Sequence, residues 1–193
     1  MTAAWTPSPA LADDVARAVA SVAGQDAEER YERLAWTSLL RTAGPGLLTR
    51  QHAPMHITAS AAVLDPTGEQ TCLVLHHKLG LWVQPGGHLE QGDPSLAAAA
   101  AREVAEETGL SGQVQRVPAM LSRHRAPCAP GVVDWHLDVQ FLLITPRTPP
   151  RPSDETPSVA WWPVGELPPD LASGVGELVD GAVRLLRAPA TTA

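Results

Sequence analysis

Cysteine is scarce in this chain: Cys72 and Cys128 are the whole supply in 193 residues. Two distant cysteines make no disulfide framework, so a reduced, cytoplasmic setting is the expectation. No apolar run approaches the ~18 residues of a membrane span, and no membrane partner is expected. The first residues carry no basic segment followed by an apolar core, so no secretory signal is expected. Basic residues are outnumbered, with 14 Lys and Arg against 21 Asp and Glu and a net charge of −7. A chain so charged lacks the basic surface that holds a phosphate backbone, which argues against a nucleic-acid polymer as partner. A small phosphorylated ligand stays open, because a metal ion bridges two anions. There is no G-x-x-x-x-G-K-[ST] loop, no G-x-G-x-x-G turn and no internal repeat.

What is present suits one domain with a full core: 44% of the residues are hydrophobic. The most informative stretch is Gly86 to Leu110. It begins as a glycine turn and continues as a helix. Asp93 is expected to cap that helix, with Pro94 at the first helical position. Ala97 to Ala101 is an unbroken run of the best helix former, and Gly109 supplies a left-handed stop after Thr108. Glu103, Glu106 and Glu107 fall at i, i+3 and i+4 and share one helical face. Arg102 lies at i−4 from Glu106, but one arginine does not balance three carboxylates. Hard oxygen donors on a rigid helix suit Mg²⁺, with Mn²⁺ as a substitute.

This stretch resembles the signature of the Nudix hydrolases, G-x5-E-x7-R-E-U-x-E-E-x-G-U with U aliphatic. The half from Arg102 to Leu110 matches without a gap. The first half departs from it: the early glutamate is Asp93, and eight residues rather than seven separate that acid from Arg102. Trp82 to His88 resembles the strand entering the box, and Trp161 to Leu167 the family's W-x-P-x-x-E-L turn. The resemblance covers Ala53 to Arg187. It implies an α/β (α+β) fold in which a mixed β-sheet is sandwiched between helices. It also implies that Glu103 and Glu107 bind Mg²⁺. Glu106 is either a third ligand or the partner of Arg102. Gly86 is a proposed backbone-carbonyl ligand, because glycine lets the chain approach a metal closely.

Around the box, Met1 to Leu48 reads as two helices. Ser8-Pro9 opens the first, with Leu11, Val15, Val19 and Val22 as its apolar stripe. Asp26 with Glu29 forms a capping-box pattern for the second. Its stripe is Tyr31, Leu34, Ala35, Ser38 and Leu39, and Gly44-Pro45-Gly46 ends it. Strands are expected at His56 to Leu64, Thr71 to His76, Leu81 to Gln84, Val114 to Ser122, Trp135 to Ile144 and Val159 to Trp162. Arg123 to Val132 reads as a loop, and proline-rich Thr145 to Pro157 as irregular. Gly174 to Leu186 reads as a closing helix. The domains are therefore an N-terminal helical extension over 1–50, a Nudix domain over 51–188 and a disordered tail over 189–193. The extension is a structural or dimerising element, or else a substrate lid, so a homodimer is one expectation.

The function implied is Mg²⁺-dependent attack of water on a pyrophosphate bond, in a nucleoside diphosphate linked to another moiety. The alternative is a domain that senses a nucleotide without cleaving it. Isopentenyl-diphosphate isomerisation would need a supported catalytic cysteine, which this chain lacks. Arg102 orients Glu106. Glu103, Glu107 or Glu155 is the base, and Asp138 beside His136 is a weaker rival. Arg123 and Arg125 are candidate phosphate contacts, with His124 between them. Trp82, Trp135, Trp161 and Trp162 could stack a ring, although a strand tryptophan is more often core. His88 and Glu90 open the zinc-deaminase pattern, which then requires a P-C-x-x-C that is missing.

Overall fold

The central strand is β1 (Met55–Leu64), buried along nearly its whole length. In the computed structural model, which describes residues 5–24, 27–129, 132–153 and 156–188, it runs parallel to β7 (Val132–Ile144) over ten residue pairs, Met55 with Trp135 through Leu64 with Ile144. The hairpin to β2 (Gln70–His76) turns through Asp65-Pro66-Thr67-Gly68. β2 pairs in turn with β3 (Leu81–Val83) and β8 (Ser158–Pro163). β4 (Gly86–His88) pairs antiparallel with β1. β5 (Gln113–Val114) and β6 (Met120–Ala129) both pair antiparallel with β7. One mixed sheet results.

Helices cover both faces. α1 (Pro9–Ser21), α2 (Ala27–Ala43) and α3 (Leu96–Thr108) lie on the face of Ile57, Ala59, Ala61 and Val63. α4 (Val175–Arg187) packs on the other face, where Leu178 and Ala182 meet Ala62, Leu64 and Leu142. The expected sandwich of a mixed sheet between helices is what the chain forms.

Most expected elements appear within a few residues of their expected ends. Ser8 caps α1, accepting from the N–H of Leu11, and Pro9 opens the helix. Leu11, Val15 and Val19 are buried in the same cluster as the sheet, so the extension shares its core with the main domain. α2 turns differently from its expected stripe. Tyr31 and Leu34 are exposed, and Trp36 is the buried anchor, its indole N–H donating to Glu32 at 2.8 Å. Residues 44–48 continue past α2 as a 3-10 turn. Asp26 and the tail 189–193 lie outside the described residues.

The clearest correction is β6. Arg123 to Val132 was expected to be a loop, because its polar and proline content hides any alternation. Instead β6 forms a long hairpin with β7, with a register shift between Pro127 and Ala129. The β7 backbone supplies its hydrogen bonds, which local pattern cannot reveal. Of the expected strand Val114 to Ser122, only Val114, the end of β5, and Met120 to Ser122, the start of β6, are extended.

Candidate active site

α3 presents its carboxylates to β4 because its apolar stripe fixes its rotation. Leu96, Ala99, Ala100 and Val104 are buried, which leaves Glu103 and Glu107 beside the glycine turn. The helix does not start at Asp93 as expected. Ser95 is the cap, accepting from Ala98 N–H at 3.1 Å, and helical structure begins at Leu96. Gly109, at φ +67°, ends the helix in the left-handed region as expected.

Asp93 is elsewhere engaged. Its two carboxylate oxygens accept from Nε and Nη2 of Arg102, both at 3.1 Å, and from the Glu90 N–H at 2.8 Å. Arg102 also donates to the carbonyl of His88 at 2.9 Å, to Glu103 at 2.8 Å and to Glu106 at 3.0 Å. The extra residue before Arg102 is thus absorbed between Asp93 and the helix start, and the acid still meets the arginine as a planar fork. Burial works against the guanidinium charge, but Asp93 and Glu103 hold Arg102 firmly protonated.

Glu103 and Glu107 converge on neighbouring glycines. Glu107 accepts from the Gly86 N–H at 3.0 Å. A Cβ added at Gly87 would lie 2.8 Å from the Glu103 carboxylate. The missing side chain at Gly87 is what gives that carboxylate room. Burial pushes Glu103 up to about 7, outweighing the lowering effect of Arg102. A buried anion with one cationic neighbour is a poor match for its surroundings until a further positive charge arrives. The donor set is all oxygen, and it fits a hard divalent cation. Glu106 is more exposed and bound to Arg102, which agrees with the partner role left open for it.

The remaining expected residues scatter. Arg123 pairs with Glu32 of α2 at 3.2 Å. Its guanidinium and that of Arg125 lie 5.5 and 5.7 Å from the centre of the Trp135 ring. Among the described residues, neither arginine contacts the glutamates of α3. Glu155 lies outside the described residues. Asp138 accepts from Thr58 at 3.0 Å, Ser60 at 2.6 Å, Gln140 at 2.9 Å and Gln84 at 3.3 Å. With these donors it ties β1 to β7 and is poorly placed to act as a base. Trp82 and Trp162 pack edge to face, 5.3 Å apart, in the cluster beneath α4.

Sequence comparison now adds to this geometry. The model of the NUDIX domain matches residues 54–181. The chain belongs to the Nudix family. The m7GpppN-mRNA hydrolase NUDT17 of Bos taurus is 30% identical over 143 residues, covering 65% of this Nudix chain and 46% of the relative. The phosphatase NudJ of Escherichia coli is 44% identical over 63 residues, 31% of this chain and 39% of the relative. The chain thus spans less than half the length of the curated relatives it matches. In fold it is similar to the NUDIX domain of Shewanella oneidensis NrtR, solved with ADP ribose. That match has a TM-score of 0.54 at 23% identity and covers 67% of this chain and 87% of that one.

Proposed function

We propose that this Nudix domain hydrolyses a pyrophosphate bond in a nucleoside diphosphate linked to another moiety, in a Mg²⁺-dependent reaction. The observation that carries the reading is the convergence of Glu103 and Glu107 on Gly86 and Gly87. Glu103, Glu107 and the Gly86 carbonyl would hold the ion. When bound, it would offset phosphate charge and lower the pKa of the attacking water. Arg102, clamped by Asp93, fixes Glu103 and Glu106 in position. A carboxylate takes the proton from water: Glu103 or Glu107 of the helix, or Glu155. Relatives named for hydrolysis of a capped mRNA and for phosphatase activity support the reaction class. The altered first half of the box is what favours the alternative, a domain that senses a nucleotide without cleaving it, and the pairing of Asp93 with Arg102 supports the hydrolase reading over it.

The test is release of phosphate or nucleoside monophosphate from a panel of nucleoside diphosphate derivatives, with and without Mg²⁺. Glu107→Gln should lower turnover by at least about 100-fold while the protein stays folded. Equal turnover by both proteins would remove Glu107 from the mechanism.

A further inference from the structure

A second constellation lies on the other side of β4. Successive strand residues alternate faces, so Gly87 looks toward Glu103 of α3 while Gly86 and His88 look the other way. On that second face the sheet register stacks polar side chains. His56 is directly opposite His136 in the β1–β7 ladder. His88 is opposite Thr58, one same-face step along from His56. The three imidazole rings are 4.9 to 5.1 Å apart, centre to centre. His124, across from His136 in β6, extends the group at 5.4 Å.

We propose that His56, His88 and His136 form a binding site for a transition-metal ion of the Zn²⁺ type, distinct from the carboxylate site on α3 and with a coordination position left open.

One candidate nitrogen from each ring lies within 4.8 Å of the other two. The Nε2 atoms of His56 and His88 are already 3.1 Å apart. Zinc–nitrogen bonds at tetrahedral angles put two ligand nitrogens about 3.3 Å apart, so this pair needs little adjustment. Nδ1 of His56 lies 3.4 Å from the carbonyl oxygen of His52. An N–H there would turn the Nε2 lone pair of His56 toward His88, the arrangement in which a ligating histidine is held by a backbone acceptor. His56 is fully buried, while His88 and His136 are half-buried, which leaves a way in from solvent.

The ligand type decides the metal. Imidazole suits zinc and its neighbours, whereas magnesium prefers oxygen. Among the described residues these three histidines supply the ligand atoms, and three ligands on a zinc-type ion leave a position for water or an anion. Buried Asp134 acts on His56 as a compensating negative charge.

The experiment is a titration of the chelator-treated full chain with Co²⁺ and Zn²⁺, followed by visible absorption and calorimetry. Variants are His88→Asn and His136→Asn at the rim, with Glu107→Gln as the control on the other face. Circular dichroism confirms folding. The expected result is one equivalent of Co²⁺ giving the ligand-field bands of a low-coordinate site, counted apart from oxygen-ligated cobalt at the α3 carboxylates, in the native protein and in Glu107→Gln. Each histidine variant should bind at least about 100-fold more weakly. The proposal is overturned if the folded native protein gives no such bands. Bands that survive both histidine changes, or that vanish only in Glu107→Gln, overturn it as well. Retention of cobalt binding by Glu107→Gln keeps this outcome separate from the fate of the hydrolase reading.

Discussion

Arg102 shows how a side chain can shape a site it does not enter. Its guanidinium joins Asp93, the His88 carbonyl, Glu103 and Glu106. Lysine keeps the charge but presents no planar fork. Arg102→Lys should therefore lower kcat about 10- to 100-fold with KM little changed, because the residue positions carboxylates and does not bind substrate. Steady-state kinetics separates the two; a rise in KM alone would contradict the positioning role. Gly87 makes the complementary point, since a methyl group there meets the Glu103 carboxylate at 2.8 Å. Gly87→Ala should fold, because the obstacle is the end of a flexible side chain, and should lose at least about tenfold in turnover through a displaced ligand.

Among the elements, the β1–β2 hairpin is held by one acid. Asp65 accepts from the Thr67 hydroxyl at 2.6 Å and from the N–H groups of Glu69 and Gln70, both at 2.9 Å. Burial raises its pKa, but these hydrogen bonds together outweigh that and bring it below 3.8. With the folded pKa below the unfolded one, the ionised form stabilises the fold above pH 3.8, and that contribution is lost as pH falls through the folded value. Asp65→Asn should cost about 1–2 kcal/mol near neutral pH, and the gap to the native protein should shrink in acid. Denaturant midpoints at neutral and acid pH measure it. The start of α3 depends on a distant element as well: the Leu96 N–H donates to Asp14 of α1 at 2.8 Å. The helix carrying the glutamates is thus tied to the N-terminal helices.

At the level of the molecule, the extension is part of the core. Leu11, Val15 and Val19 of α1 pack in one cluster with α3 and β1. Leu11→Ala should cost about 2–5 kcal/mol, seen as a lower Tm for the whole cooperative transition. A separate early transition for the helices, with the main melt unchanged, would contradict a shared core. No helix of the described residues is long and apolar enough to cross a membrane.

The box was legible in the sequence because its logic is local. Helix phase places Glu103, Glu106 and Glu107 on one face, glycine ends the helix, and prolines keep Thr145 to Ser153 irregular. The buried stripe of α1 and most strands were legible for the same reason, since periods of 3.6 and 2 are written in neighbouring residues. Asp93 reads as a cap in the sequence because its partner, Arg102, comes a helix turn and more later in the chain. β6 was hidden because its pairing with β7 decides its conformation. The strand at Trp135 to Ile144 was legible, yet not what its His136 faces. Only the parallel register of β1 on β7 brings His56 to His136, and only the β4 pairing adds His88. Local sequence sets the phase of each element, whereas contacts between residues some 30 to 80 positions apart depend on how the strands close against one another.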